Sequence, residues 1–188
     1  MAQYDIHFNC DLEYGYCGSD NVASVELSDE EVSALVSLIR KHGGSSDVEE
    51  LELAEKLPAI YEKLDDACQS QAAELAFEGW AINGFEDGDF ETPEDLMEKC
   101  ESVGLFHYEP DMDDVTDENG EIDPDLLADD KEYCFSEWLD EYFDSLDWEG
   151  QVAFLMKFYE EALNEYYGVE YTYSVEIPSA IVKIALER

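Results

Sequence analysis

The feature that most constrains this chain is its charge: 50 of its 188 residues are Asp or Glu and 9 are Lys or Arg, giving a formal net charge of −41 at pH 7. A chain with that charge repels itself, which weakens any compact state. Strong charge predicts disorder only when hydrophobicity is also low, and here 45% of the residues are hydrophobic and 13% are aromatic. The sequence therefore predicts a folded, acidic domain spanning residues 1–188.

The same charge constrains the partners. Proteins bind a nucleic acid or an anionic membrane through cationic side chains that replace the bound counterions. This chain has few cationic side chains, so we expect it to bind neither directly. No run approaches the ~20 apolar residues of a membrane-spanning helix. The five cysteines are scattered and odd in number, and the N-terminus lacks a basic region followed by an apolar stretch. These features predict a reduced, cytoplasmic protein.

Hydrophobic periodicity predicts a mainly helical α+β fold with a small antiparallel sheet. Alternation over 4–10 and 169–177 predicts strands, and turn material at 14–18 predicts that the first strand returns over 22–27. The sheet is expected to combine this N-terminal hairpin with the C-terminal strand. The first helix is predicted to follow a capping box at Ser28 and Glu31, and the second to run over 48–80 with a break or kink at Pro58. A third is predicted to start from a Thr92 cap with Pro93 in the first helical position, followed by a short strand over 103–108. Further helices are predicted over 124–146, over 151–167 and after Pro178.

Residues 109–125 contain nine acids and no base, which predicts a mobile acidic loop. Part of this loop resembles the middle of a helix–loop–helix calcium site, with Asp117, Asn119 and Asp123 at its third, fifth and ninth positions. The first and twelfth positions, which supply the anchoring carboxylates, are occupied by Val115 and Leu126. An acidic turn is therefore favoured, and the alternative is a calcium-binding module centred on this loop.

Catalytic motifs are missing from the sequence. It has no Gly-x-Ser-x-Gly elbow and no Gly-rich loop leading into Lys-Ser or Lys-Thr. His7, Cys10 and Cys17 are the nearest zinc candidates, but their spacing is wrong, and a strand would place a buried Cys10 and an exposed His7 on opposite faces. We expect a protein without enzymatic activity or cofactor. The composition is also compatible with an enzyme whose site has no recognisable motif, and with an acidic housekeeping or halophilic domain.

The predicted helix over 124–146 carries the most specific functional hypothesis. Its inward face is expected to be an aromatic stripe, and its opposite face carries carboxylates at a helical spacing of three or four residues. These lie ~4.5–6 Å apart along the axis, comparable with the ~3.4 Å between phosphates of one nucleic-acid strand. We therefore predict a nucleic-acid mimic that inhibits a basic, nucleic-acid-binding protein by occupying its DNA- or RNA-binding surface. The predicted partner-binding residues are Glu137, Asp140, Glu141, Asp144 and, as an exposed apolar anchor off the inward stripe, Phe143.

Overall fold

The fold is known from a computed structural model that describes residues 1–12, 21–117 and 119–187. It is 55% helical with two antiparallel sheets of two strands each, which confirms the predicted α+β fold class. The predicted turn at 14–18, including Cys17, lies outside the described residues. In chain order the elements are β1 (Ala2–Phe8), β2 (Cys10–Leu12), β3 (Asn21–Leu27), α1 (Asp29–Lys41), α2 (Leu53–Lys56), α3 (Pro58–Glu86), α4 (Leu96–Ser102), α5 (Pro124–Ser145), α6 (Trp148–Phe158), α7 (Glu160–Leu163), β4 (Tyr171–Tyr173) and α8 (Ser179–Leu186).

The chain divides into two compact units, and each is described by itself. The first, which we call the sheet unit, consists of Met1–Asn83 and Tyr167–Arg188. The second, which we call the acidic unit, consists of Gly84–Tyr166. A single domain over 1–188 stays a prediction. Among the residues placed by the structure, no helix combines the length and the apolar character needed to cross a bilayer.

The predicted sheet of the sheet unit forms as two separate strand pairs. β1 pairs with β3 from Ala2 opposite Leu27 to Phe8 opposite Asn21, and β2 pairs with β4. The two pairs meet at Asn9, whose carbonyl accepts from the Ser174 N–H at 2.9 Å and whose own N–H donates to the Ser174 hydroxyl at 3.0 Å. Among the described residues, β2 and β4 pair over three residues each, whereas the sequence predicts a strand over 169–177.

The helices of the sheet unit are fixed by specific end contacts. The predicted capping box is present: the Ser28 hydroxyl accepts from the Glu31 N–H at 3.2 Å, and the Glu31 carboxylate accepts from the Ser28 N–H at 2.7 Å. At the other end of α1, Arg40 donates from Nε to the Ala185 carbonyl at 2.9 Å and so caps the C-terminus of α8. The core between these elements is aliphatic, and Phe8 is its one buried aromatic residue in the part of the unit that the structure describes.

The core of the acidic unit is aromatic instead. The Phe85 ring lies 4.0 Å from the Phe143 ring and 5.3 Å from the Tyr159 ring, measured between centroids. The helix predicted over 151–167 is broken at Tyr159, which has non-helical dihedral angles and is 2% exposed. The break separates α6 from α7 and places the Tyr159 ring within this cluster.

Two local predictions for the acidic unit were wrong. The predicted Thr92 cap does not start a helix, because α4 begins at Leu96 with Asp95 at its N-cap position. The predicted strand over 103–108 is a turn and an extended segment. Gly104 adopts the left-handed conformation, with φ of 74°, and thereby ends α4, and Phe106 then turns into the aromatic core.

Candidate protein-interaction surface

The candidate surface is built on α5, whose start is set by the sequence. Asp123 is its N-cap and accepts from the Asp125 N–H at 2.9 Å, and Pro124 occupies the first helical position. Phe135 and Leu139 are buried on the inner side of the helix. The capped start and the two buried side chains together determine which residues of α5 face outward.

All four acids predicted to oppose the aromatic stripe are exposed. From the first of them, Glu137, to the last, Asp144, the helix rises ~10.5 Å. The exposed Asp129 and Tyr133 lie on the same side, within about a third of the helix circumference. We call this set the acidic face of α5, and its members are Asp129, Tyr133, Glu137, Asp140, Glu141 and Asp144.

Within the described residues, the carboxylates of the acidic face have no cationic partner. Over the ranges 1–12, 21–117 and 119–187, no Lys or Arg forms an ion pair with any of its carboxylates. Lys131, the sole Lys or Arg in residues 101–150 of the sequence, is on the same helix but turns away. Its ammonium pairs with the Glu101 carboxylate at 2.8 Å. The negative charge of the acidic face is therefore presented to solvent unneutralised.

Two other acids, Asp123 at the start of α5 and Asp130 within it, have structural partners, which distinguishes them from the acidic face. Asp123 caps the helix, as described above, and Asp130 accepts a 2.6 Å hydrogen bond from the Tyr108 hydroxyl. Both carboxylates are half-buried. The carboxylates of Asp140, Glu141 and Asp144 make no such contact with the part of the chain that is described.

Phe143 is not the exposed anchor that the sequence predicts, and that prediction was wrong. Its side chain is 1% exposed, and its ring lies 4.0 Å from Phe85 and 6.0 Å from Phe154 between centroids. The inner side of α5 is wider than a single aromatic stripe, because side chains from the end of α3 and from α6 pack against its edge. Phe143 belongs to the core.

The exposed aromatic residue of the acidic face is Tyr133, which the predicted partner-binding set does not include. Its side chain is 61% exposed, and its hydroxyl donates to the Glu137 carboxylate at 2.5 Å. This hydrogen bond is the main reason that the pKa of Tyr133 is raised. The signal present in the sequence was the spacing: Tyr133 precedes Glu137 by four residues, so the two are neighbours on a helix surface.

The calcium-like loop uses its candidate ligands to hold its own backbone. The Asp117 carboxylate accepts from the N–H groups of Asn119 at 2.8 Å and of Glu121 at 3.0 Å. These bonds, that from Glu121 first, hold the pKa of Asp117 below its ordinary value. The third candidate, Asp123, caps α5, and Val115 at the first position is buried.

No metal-binding cluster is evident in this loop or elsewhere in the described ranges. Nowhere in them do three or more His, Cys, Asp or Glu side chains come together in a way that could hold an ion. Of the zinc candidates, Cys10 is buried and His7 is exposed, as predicted, and Cys17 falls in the stretch that is not described. The mobility of 109–125 and the calcium-binding module stay predictions.

The surroundings of two buried thiols disfavour their reactive form. Burial raises the pKa of the Cys68 and Cys100 thiols, which disfavours the thiolate that attacks a substrate. Comparison of the chain with known protein families, with curated proteins and with solved structures finds no match. Function is therefore inferred from the surface of α5.

Proposed function

We propose that this protein is a non-enzymatic acidic binding protein that mimics nucleic acid and inhibits a basic, nucleic-acid-binding protein by occupying its DNA- or RNA-binding surface. The observation that supports the proposal is the acidic face of α5. Its carboxylates are exposed at a regular helical spacing and lack cationic partners in the described part of the chain.

The arrangement is unfavourable for the isolated helix, which favours a role in binding. Like charges four residues apart, as in Glu137 with Glu141 and Asp140 with Asp144, destabilise a helix by about 0.2–0.5 kcal/mol per pair. Lys131 would offset this repulsion only if its ammonium group lay on the outer side of α5. The ammonium pairs with the Glu101 carboxylate instead. Binding of a cationic groove would relieve the repulsion.

The chemistry of the partner follows from this charge. A groove that binds nucleic acid presents Lys and Arg side chains to phosphates spaced ~3.4 Å apart along each strand. A row of carboxylates separated by ~4.5–6 Å can engage the same cations. Attraction between surfaces of opposite charge accelerates association at low salt and loses strength as salt rises.

The compartment is part of the proposal. We place the protein in the cytoplasm, where reducing conditions keep thiols unpaired. The unpaired and buried Cys68 and Cys100 support this placement.

The experiment is a competition for a captured partner. The protein is immobilised, a cell lysate is passed over it, and bound proteins are eluted with a salt gradient. An eluted protein that binds a labelled DNA duplex or RNA is then titrated with the free acidic protein. We expect stoichiometric displacement of the nucleic acid, because both ligands occupy the same groove.

The control for charge alone is poly-aspartate at the same carboxylate concentration. It should displace the nucleic acid at much higher concentration, because it lacks a folded surface that fixes the spacing. If the captured partner binds nucleic acid equally well with and without the acidic protein, the proposal is wrong. Equal potency of poly-aspartate would also contradict it.

A further inference from the structure

We propose that the acidic face of α5 is an arginine-selective docking surface in which the ring of Tyr133 receives a guanidinium group from the basic partner. This inference rests on the proposed function and deepens it, because it specifies which cation the surface takes. The occupant is an arginine-bearing segment of the partner protein.

The first observation is the place of Tyr133 within the acidic face. Its outward neighbours on the helix include Asp129, four residues before it, and Glu137, four residues after it. Asp140 follows at two turns, ~10.5 Å along the axis. An aromatic ring that is 61% exposed therefore lies between carboxylates on the same side of one helix.

The second observation is that the Tyr133 side chain is held in place. Its hydroxyl donates to Glu137 at 2.5 Å, so the ring is tethered at its outer end while the residue stays 61% exposed. A side chain that is already ordered loses less conformational entropy when a partner binds. Tyrosine is also one of the residues that contribute most often to binding energy at interfaces.

These features fit arginine better than lysine. The guanidinium group is planar and weakly hydrated, so it stacks on an aromatic face and donates paired hydrogen bonds to a carboxylate at the same time. The compact lysine ammonium engages a carboxylate as a point charge and has no planar face to stack. Tyr133 and Glu137 together offer both a ring and a carboxylate within one helical turn.

An apolar contact extends the surface towards the start of α5. Leu126 is 41% exposed and precedes Tyr133 by seven residues, which puts it two turns away on the same side of the helix. The aliphatic stem of a second long cationic side chain can pack on it. An arginine-rich helix or extended loop lying along α5 would contact both residues.

The test compares two synthetic peptides, deca-arginine and deca-lysine, which carry the same charge. Their affinities for the full-length protein are measured by calorimetry at low and at physiological salt. A cation–aromatic contact at an exposed site is worth about 0.5–1 kcal/mol, so we expect deca-arginine to bind ~2–5-fold more tightly than deca-lysine. Tyr133→Ala should abolish this preference and leave the affinity for deca-lysine unchanged, whereas Tyr133→Phe, which keeps the ring and loses the tether to Glu137, should retain a smaller preference.

The matched control is Tyr167→Ala, which removes a tyrosine of the sheet unit that is 92% exposed. It should change neither affinity. Equal binding of the two peptides by the wild-type protein would overturn the inference, as would a preference that persists in Tyr133→Ala or an equal loss of both affinities in that variant. The nucleic-acid competition described above uses no arginine preference, so the proposed function can fail or stand independently of this result.

Discussion

The two units of this protein carry their charge and build their cores differently. The sheet unit has 21 acids and 6 bases in 105 residues, whereas the acidic unit has 29 acids and 3 bases in 83 residues. The sheet unit buries mainly aliphatic side chains, whereas the acidic unit buries clustered aromatic rings. Aromatic side chains bury about 150–250 Å² each. Large buried rings therefore let the more highly charged and smaller unit offset a stronger self-repulsion.

The cations are also used differently from the acids. In the acidic unit, Lys99 pairs with Asp95, Lys131 pairs with Glu101, and Lys157 lies 4.9 Å from the ring centroid of the next residue. All three bases of this unit thus have contacts away from the outer side of α5. The uncompensated charge on the outer side of α5 therefore results from where the three bases of this unit make their contacts, and not only from the small number of bases.

The largest expected effect comes from the aromatic core. Phe143→Ala should lower the free energy of unfolding by about 3–5 kcal/mol, because it removes a ring that is 1% exposed. Hydrogen exchange should accelerate mainly within Gly84–Tyr166. Leu64→Ala, at a position that is 0% exposed in the sheet unit, is the counterpart and should cost about 2–5 kcal/mol, with faster exchange in the sheet unit. A loss below about 1 kcal/mol for Phe143→Ala would mean that this side chain is exposed after all.

Salt should affect the two units unequally. Raising the ionic strength shortens the screening length to ~8 Å at physiological salt, which weakens repulsion between exposed carboxylates. We expect the melting temperature to rise with salt and hydrogen exchange to slow more in the acidic unit than in the sheet unit. A melting temperature that is constant or falls with salt would show that the carboxylates are already neutralised.

The capping box of the sheet unit should give a small, pH-dependent effect. The hydrogen bond from Lys63, followed by that from the Ser28 N–H, holds the pKa of Glu31 below its ordinary value of 4.5. Because the folded-state pKa is the lower one, the stabilisation is present above pH 4.5 and is lost as the pH falls through the folded-state value. Glu31→Gln should cost no more than about 1 kcal/mol at pH 7. Denaturant unfolding across this pH range should show the difference disappearing at low pH, and a constant difference would refute this origin.

Calcium should have the smallest effect of all. The carboxylates of Asp117 and Asp123 already accept backbone N–H groups, and Val115 and Leu126 occupy the positions of the anchoring ligands. Calorimetry at micromolar calcium should therefore show no saturable, stoichiometric binding. A single tight site that disappears in Asp117→Ala or Asp123→Ala would instead make the acidic unit a metal-binding module.

The sequence predicts the elements whose signals are local. The capping box at Ser28 and Glu31 and the start of α5 at Pro124 depend on residues within one helical turn, and both are confirmed. The exposure of the four acids of α5 follows from helical periodicity. The division of the sheet into two strand pairs could not be predicted in the same way, because β2 and β4 pair across more than 150 residues of sequence.

The misses in the acidic unit also have a non-local cause. The burial of Phe143 and the helix break at Tyr159 both depend on Phe85, which comes from the end of α3. Periodicity within α5 or α6 cannot show from which side another helix packs. Tyr133 was missed for a related reason: its exposure follows from the direction of that packing, although its spacing to Glu137 was visible in the sequence.

The central claim is that the position of the acidic face, and not the total charge, determines binding. It is tested by two triple variants with the same change in charge. One is Asp140→Lys, Glu141→Lys and Asp144→Lys on α5. The other is Glu55→Lys, Glu62→Lys and Asp66→Lys at exposed positions of α2 and α3 in the sheet unit.

The measurement is the association rate of each variant with the captured partner at low salt, with circular dichroism confirming that both variants fold. We expect the α5 variant to associate at least ~10-fold more slowly than the wild type, since steering by opposite charges accounts for factors of about 10 or more. The control variant should remain within about two-fold of the wild type, because its changes leave every carboxylate of the acidic face in place. Equal slowing of the two variants would show that net charge alone drives association and would contradict the account.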